Sequence, residues 1–334
     1  MFRIGTRSSD LAMAQTHWVV DRLRAAHPKM TFRIESGVEA IGDILLDASL
    51  KSLADSTGPG LFTKDLEGGL AAGYYDFVVH SLKDLPTTLP SGLCVGAITE
   101  REDPRDSVVF HEKHKGKGGF RGLPKGAVVG TSSVRRHALL KKHYPHLHVK
   151  LIRGNVNTRL AKLDKGDMYD AIILAMAGLK RLGPEFEARA EVLTPQEFPY
   201  GVSQGAIGIE CRSDDTQTLN ILQAVNDPSS SARCRAERAL LRHLGGGCQV
   251  PLGVESQCAS SGDAISLSCI VLSEDGSRNV HDKVEGVCKF PENAGQLLAL
   301  KLLKLGAADL LSTAGNAVMK LGTPSSRPLT YGNA

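Results

Sequence analysis

Short apolar runs that break abruptly into polar loops recur along the chain, and this pattern restricts the fold more than any other feature. Phe77-Val78-Val79 runs straight into His80-Ser81-Leu82-Lys83-Asp84-Leu85-Pro86-Thr87. Residues 2–5, 127–130, 149–152 and 170–175 end the same way, and the first three of these runs lead into helical spacing. Buried strands that feed loops and helices predict an α/β fold. In such folds ligands sit beyond the carboxyl ends of the strands. The loop after Val79 therefore delivers a His, a Ser, a Lys and an Asp to the place where chemistry is usually done.

Two of these junctions echo each other. Ile4-Gly5-Thr6 precedes Ser8-Ser9, and Val129-Gly130-Thr131 precedes Ser132-Ser133. A duplication would give two similar α/β lobes with facing ligand edges; chance similarity over so few residues is the competing reading. A chain of 334 residues favours two or three domains. Residues 33–38 read as a second strand, 42–60 as a loop closing on Gly58-Pro59-Gly60, and 62–72 as a helix. Residues 202–212 read as a strand returning to the first lobe. Residues 214–226 are helical in pattern, with Asp227-Pro228 as the stop, and 229–244 form a second helix. Alternation over 265–273 and 280–287 around Asp275-Gly276 predicts a hairpin. Residues 294–311 read as a helix, and the tail from 323 as frayed.

Composition narrows the function classes. The formal charge is +4, from 40 basic against 36 acidic residues, too mild to argue for nucleic acid. Aromatic content of 5% with one Trp argues against base-stacking platforms. Seven Cys without a Cys-x-x-Cys motif fit a reduced, intracellular protein. No apolar run approaches a membrane span, and no apolar signal core precedes the first motif.

The placement of arginine is the strongest chemical clue. Arg135 and Arg136 fall in the first turn of a helix, where the dipole disfavours cations. Arg7 precedes another helix start, Arg153 and Arg159 bracket a third junction, and Arg181 lies past a fourth strand. Ion pairs with local acids would explain any one of them. For the set, a polyanionic ligand bound by guanidinium groups is the stronger account. No Walker-type motif and no Gly-x-Gly-x-x-Gly follows a strand, which favours carboxylates over nucleotides. Asp84 reads either as a turn residue before Leu-Pro or as a carboxylate at the floor of a cationic cleft. Cys248 follows Gly245-Gly246-Gly247, a flexible loop that exposes its sulfur for covalent chemistry; the other six Cys read as inert core residues. His111 and His114, like His143, His146 and His148, lie in Lys- or Pro-containing segments without a clear acidic or Cys ligand set, and read as surface residues rather than metal ligands.

These motifs together closely resemble the porphobilinogen deaminase (hydroxymethylbilane synthase) family. The resemblance runs in order through Gly5-Thr6-Arg7-Ser8-Ser9, Leu61-Phe62-Thr63-Lys64, His80 to Thr87, Asp103-Pro104-Arg105-Asp106, Gly130 to Arg136, Arg153 to Leu160, Ala177 to Leu182, Gln204 to Arg212, and Ala236-Glu237-Arg238 to Gly246-Gly247-Cys248-Gln249-Val250-Pro251. The last eighty or so residues match only in general pattern.

The resemblance implies three α/β domains. Residues 1–99 with 201–220 would form lobe 1, 100–200 lobe 2, and 221–334 a smaller C-terminal domain with an antiparallel sheet. The lobes would look like those of periplasmic binding proteins. It implies a transferase that condenses four porphobilinogen molecules head to tail, releases ammonia at each step and finally hydroxymethylbilane. It implies a dipyrromethane cofactor in thioether linkage to Cys248, catalysis by Asp84, and no metal. Carboxylates would be held by Arg7, Ser9, Ser81, Lys83, Thr131, Ser133, Arg135, Arg136, Arg153, Arg159 and Arg181. Gln204 and Gly205 would line the cleft where the lobes join, and Phe62 would stack near a pyrrole. Porphobilinogen is the implied partner, with no nucleic acid or membrane, in a monomer. The implied location is intracellular and soluble: cytoplasmic, or plastid or mitochondrial if a transit segment has been removed. Three positions depart from the common pattern: Pro59 where a Lys is frequent, Asp10 for a Pro, and Ser203 for a Gly. A non-catalytic binding protein for a small polycarboxylate is the competing class, but it leaves the Gly-rich Cys loop without a role.

Overall fold

The computed structural model describes residues 1–36, 61–245 and 250–311, without the side chains of 61–64. The expected loop over 42–60 with Pro59, the Phe62 side chain, Cys248 and the tail from 323 lie outside the described residues.

The first sheet is built around β1 (Phe2–Thr6), which pairs in parallel with β2 (Phe32–Ser36) and β3 (Phe77–Ser81). Then β10 (Ile207–Arg212) inserts antiparallel between β3 and β4 (Leu93–Ile98), giving the order β2-β1-β3-β10-β4. The second sheet repeats this plan. β6 (Val128–Gly130) is parallel to β7 (His148–Lys150) and β8 (Ala171–Ala175), and β5 (Asp106–Phe110) lies antiparallel between β8 and β9 (Ala190–Val192). The order β7-β6-β8-β5-β9 matches the first sheet strand for strand.

The match extends to single residues and explains the echo in the sequence. Gly5 pairs with Val78 and Gly130 with Ile172, at the same point of each sheet. A Cβ on Gly5 would lie 2.8 Å from the Tyr75 ring, and one on Gly130 2.9 Å from the Tyr169 ring. Only glycine leaves room for the aromatic ring. The next residues repeat as well: Asp76 accepts from the Arg3 backbone N–H (2.7 Å) and Asp170 from that of Val128 (2.8 Å). A Tyr-Asp pair ahead of β3 and β8 is thus the second half of the echo.

Helix α1 (Asp10–Ala26) starts where Ser9 Oγ accepts from the Ala12 N–H (3.4 Å), and it buries Val19, Val20 and Leu23 against Ile4 and Phe77. α2 (Leu61–Ala71) leads into β3. In the second lobe, α3 (Val134–His143) follows β6, α4 (Val156–Asp164) follows β7, and α5 (Met176–Leu182) follows β8. α6 (Thr216–Leu222) is shorter than the expected 214–226. Asp227-Pro228 does more than stop it. Asp227 Oδ2 accepts from the Ser230 N–H (2.7 Å) and Pro228 occupies the first turn, so the dipeptide opens α7 (Pro228–His243). The third sheet joins β11 (Leu252–Cys258), β12 (Ala264–Leu272) and β13 (Asn279–Val287), all antiparallel, and packs on α7 and α8 (Pro291–Lys304).

The chain crosses between the two five-stranded sheets after β4 and again before β10, and a buried polar network fills the crossing. Arg101 reaches into the third domain and donates through Nη1 and Nη2 to Glu237 of α7 (2.6 and 3.0 Å), and through Nε to the Gln204 carbonyl (2.8 Å). Glu237 also accepts from the Ser203 N–H (2.7 Å) and the Ser256 hydroxyl. Burial opposes ionisation of Glu237, but the Arg101 guanidinium together with the Ser256 and Ser203 hydrogen bonds outweighs it and holds the carboxyl below its usual range. Such a pair survives burial because its remaining lone pairs and protons are hydrogen-bonded. Ser203, the departure noted above, sits here with φ 61°, the left-handed region where glycine is at ease.

Candidate active site

The candidate site begins at the end of β3. Ser81 gives way to one turn of 3-10 helix, Leu82–Asp84, and the turn is pinned from below. Leu82 and Leu85, fully buried with Ile98, Ala206 and Cys234, act as two anchors three residues apart. Between them Lys83 is half-buried and Asp84 exposed. The Leu82 N–H donates to the Ala206 carbonyl (3.0 Å). The far side is clamped from the third domain: Arg238 of α7 donates to the carbonyls of Leu85 (2.9 Å) and Pro86, and Arg242 to that of Thr87 (2.9 Å). Sequence reasoning gave these two arginines no role at this loop. Their spacing of four on one helix was the available signal. Ser81 Oγ is held by the Gln15 side-chain amide (2.9 Å). His80 points away from the loop, with Nε2 3.0 Å from Glu210 Oε2 in a buried pair.

The second lobe presents the start of α3. Thr131 Oγ1 accepts from the Ser133 N–H (3.1 Å), and Ser133 Oγ caps the helix at the Arg136 N–H (3.4 Å). Arg135 and Arg136 follow, and the anion they require is supplied by the protein itself. Asp106, fully buried at the start of β5, accepts from Arg135 Nη1 (2.6 Å) and Nη2 (3.3 Å) and from Arg136 Nε (3.1 Å) and Nη2 (2.8 Å). Gln204 Nε2 gives Asp106 a fifth donor (2.8 Å) and also reaches the Pro104 carbonyl (2.7 Å). One carboxylate against two guanidinium groups leaves a net positive cluster. Arg135 further donates to the Pro199 carbonyl (2.8 Å) and Arg136 to that of Ile173 (2.8 Å). Each guanidinium has five N–H groups, and the described residues use three, leaving two on each.

The charges of the two lobes act on one another. Burial lowers the pKa of Lys83; Asp84 and Asp106 resist, while Arg136 and Arg135 reinforce the drop. The pKa of Arg159 is lowered by burial and then by Arg136, with Asp84 opposing. Arg136 is likewise lowered by burial, with Asp106 opposing. Lys83 and Asp84 of lobe 1 therefore share one field with Arg135, Arg136 and Arg159 of lobe 2. The Asp84 carboxylate, unlike that of Asp106, takes no hydrogen bond from the described residues.

The other expected residues are distributed around this centre. The Ser9 hydroxyl caps α1. Arg7 and Arg153 are exposed at their junctions. Arg159 Nε donates to the Gly154 carbonyl (2.7 Å). Arg181 lies at the crossing, where Nη2 donates to the Gly205 carbonyl (2.7 Å); burial lowers it to about 10, against the pull of Glu102. Gly205 has φ 92°, and a Cβ there would lie 2.4 Å from the Glu102 carbonyl oxygen, so glycine is required. The lobes also touch at the surface, where Asn157 Nδ2 donates to Asp10 Oδ2 (2.5 Å).

A ligand that carries several carboxylates fits these residues. Cations depressed by burial and mutual repulsion regain favourable interaction when an anion arrives, and two N–H groups each on Arg135 and Arg136 match bidentate carboxylate recognition. Arg242 holds Thr87 only six positions before Cys248, so the chain that leads to the cysteine starts beside the Asp84 loop.

Comparison with known proteins points the same way. Residues 2–220 match the family described as "Porphobilinogen deaminase, dipyromethane cofactor binding domain", and residues 231–304 match "Porphobilinogen deaminase, C-terminal domain". The porphobilinogen deaminase of Synechococcus elongatus is 49% identical over 310 residues, covering 92% of this chain and 94% of its own. That of Nostoc sp. is 47% identical over 312 residues, covering 93% and 94%. A periplasmic binding protein of Salmonella typhimurium with high arginine specificity aligns over 67% of this chain and 91% of its own, at 13% identity and a TM-score of 0.37. With both lobes and the third domain matched in order, and with near-complete relatives at almost half identity, the chain belongs to the porphobilinogen deaminase family.

Proposed function

We propose that this chain condenses four porphobilinogen molecules head to tail on a dipyrromethane primer held by Cys248, with Asp84 as the catalytic group. The observation that carries this reading is the contrast between two aspartates. Asp106 is saturated by five donors, whereas Asp84 is exposed, takes no hydrogen bond from the described residues and shares a field with cations of both lobes.

The bound dipyrromethane supplies a nucleophilic pyrrole carbon on which the chain grows. Porphobilinogen brings acetate and propionate groups, and the remaining N–H groups of Arg135 and Arg136, with Lys83 and Arg159, receive carboxylates. Arg7, Ser9, Ser81, Thr131, Ser133, Arg153 and Arg181 complete the binding set around the cleft, with Gln204 and Gly205 at its back and Phe62 against a ring. Asp84 protonates the amine that leaves porphobilinogen as ammonia. Its carboxylate then faces the cation left on the substrate, and electrostatic stabilisation of that kind is usually the largest catalytic effect. The same carboxylate takes the pyrrole α-proton after the carbon–carbon bond forms. Hydrolysis finally frees the linear tetrapyrrole.

The three sheets support dividing the chain as 1–99 with 201–220, 100–200 and 221–334. We take the active form as a monomer in a soluble intracellular compartment; among the described residues no helix is long and apolar enough to cross a membrane.

Asp84→Asn tests the assignment. It keeps size and fold but cannot donate the proton, so ammonia release per enzyme should fall by two orders of magnitude or more while the primer stays bound. A near-normal rate removes Asp84 from the mechanism.

A further inference from the structure

Two pairs of thiols meet among the described residues, although the sequence spaces all the cysteines irregularly. Cys94 and Cys211 stand opposite each other in register on β4 and β10, with sulfurs 3.8 Å apart. Cys211 is buried, and burial pushes its thiol far above the usual range, so this pair is shielded from reagents in solution.

Cys258 and Cys288 are placed differently. Cys258 closes β11 and Cys288 follows β13, so the two flank the start of β12. Both side chains reach across it. Cys288 Sγ lies 3.3 Å from Cys258 Sγ and 3.2 Å from the Ala264 carbonyl. Both residues are half-buried, on the open end of the sheet. The other hydrogen-bond partner of Cys258 Sγ among the described residues is the Ser229 carbonyl at the start of α7 (3.7 Å), and both cysteines pack on the rim of the third domain's apolar core. Neither cysteine touches the crossing network or the loop of Asp84.

We propose that Cys258 and Cys288 are a redox-active dithiol that a disulfide oxidant of the glutathione class converts to an intramolecular disulfide. The sulfurs must close from 3.3 Å to about 2.0 Å; because the two cysteines flank β12 rather than pair directly, the ends of β11 and β13 must draw together as the bond forms. A thiolate of one residue attacks the oxidant, forming a mixed disulfide and expelling one thiol. The second thiolate attacks the protein sulfur of that mixed disulfide and expels the other. The protein loses two protons and two electrons, and the oxidant is reduced to two thiols. Burial, with the hydrogen bond to Cys258, pushes the Cys288 thiol up to about 11, so the exchange quickens with rising pH. The bond ties the end of β11 to the end of β13 and closes a loop that contains both β12 and β13. It restrains the unfolded chain and so raises the resistance of the third domain to unfolding.

The test uses the intact holoenzyme, incubated with oxidised glutathione at pH 8 and then denatured, alkylated and digested. The expected result is one linked peptide pair, Cys258 with Cys288, lighter by two hydrogens than the reduced peptides. Cys94 and Cys211 should remain alkylatable. The melting temperature should rise by a few degrees, and dithiothreitol should reverse the change. Cys258→Ser and Cys288→Ser should each abolish the rise and leave glutathione on the remaining cysteine. Full alkylation of both cysteines after oxidation overturns the proposal. So does linkage of either to another cysteine, or a melting shift that persists in the single variants.

Discussion

Replacing Asp106 with Asn tests the network that orders the second lobe. The substitution keeps the shape of the side chain and one acceptor but removes the only charge that faces Arg135 and Arg136 within 4 Å among the described residues. The two arginine side chains are 6% and 7% exposed and Asp106 is 0%, so water cannot replace the lost carboxylate. Five donors converge on its two oxygens, and an Asn amide would turn an N–H toward some of them. Removing one partner of a buried ion pair costs about 3–5 kcal/mol. Two cations lose their partner here, which puts the expected loss near the upper end, about 5 kcal/mol. Urea denaturation followed by circular dichroism at pH 7 measures it. The pH dependence is a second readout. Burial alone would favour the neutral acid, but Arg135 and Arg136 outweigh it and hold the Asp106 carboxyl far below its usual range. A folded pKa below the unfolded value of about 3.9 means the stabilisation is complete above about pH 5 and is lost as pH falls through the folded value. The gap between parent and variant should therefore be flat from about pH 5 to 8 and shrink only in stronger acid. A loss below about 1 kcal/mol, or a gap that varies across neutral pH, would refute the reasoning.

Two further substitutions probe the surrounding frame. Arg238→Met leaves the buried Leu85 carbonyl without its donor, worth about 1–3 kcal/mol, and removes the donor to the more exposed Pro86 carbonyl; ammonia release should drop several-fold because the Asp84 loop loses its clamp, and unchanged kinetics would show that the loop holds itself. Ser203→Gly relieves a left-handed backbone and should raise stability by about 1 kcal/mol in thermal unfolding; a loss of stability would mean that the Ser203 side chain makes a contact more favourable than the strain.

Much of this arrangement was legible in the chain because it rests on local signals. The Gly-Thr junctions and the hairpin around Asp275 follow from short-range backbone chemistry. What escaped was the non-local part. β5 is wholly buried, yet it begins with Asp106 and follows a charged, Pro-containing stretch, so its sequence reads as loop. Asp106 itself stands out only as part of a motif, because nothing local shows that two arginines some thirty residues later need it. Placing cations at the start of α3 did imply an anion, and the protein's own carboxylate answers half of that need. β4 and β11 also escaped: β4 is an apolar run broken by Gly96, and β11 carries Glu255, Ser256 and Gln257 in succession. The pairing of Cys258 with Cys288 is of the same kind: it arises from sheet register, which sequence spacing does not reveal.

The central claim joins Asp84 to a primer on Cys248, and the mass of the active enzyme tests that union most directly. Intact-mass measurement of freshly purified, active protein, followed by peptide mapping, should find added mass equal to two linked pyrrole units, carried on the peptide that contains Cys248. Active enzyme with unmodified Cys248, or with the added mass on another residue, would contradict the account.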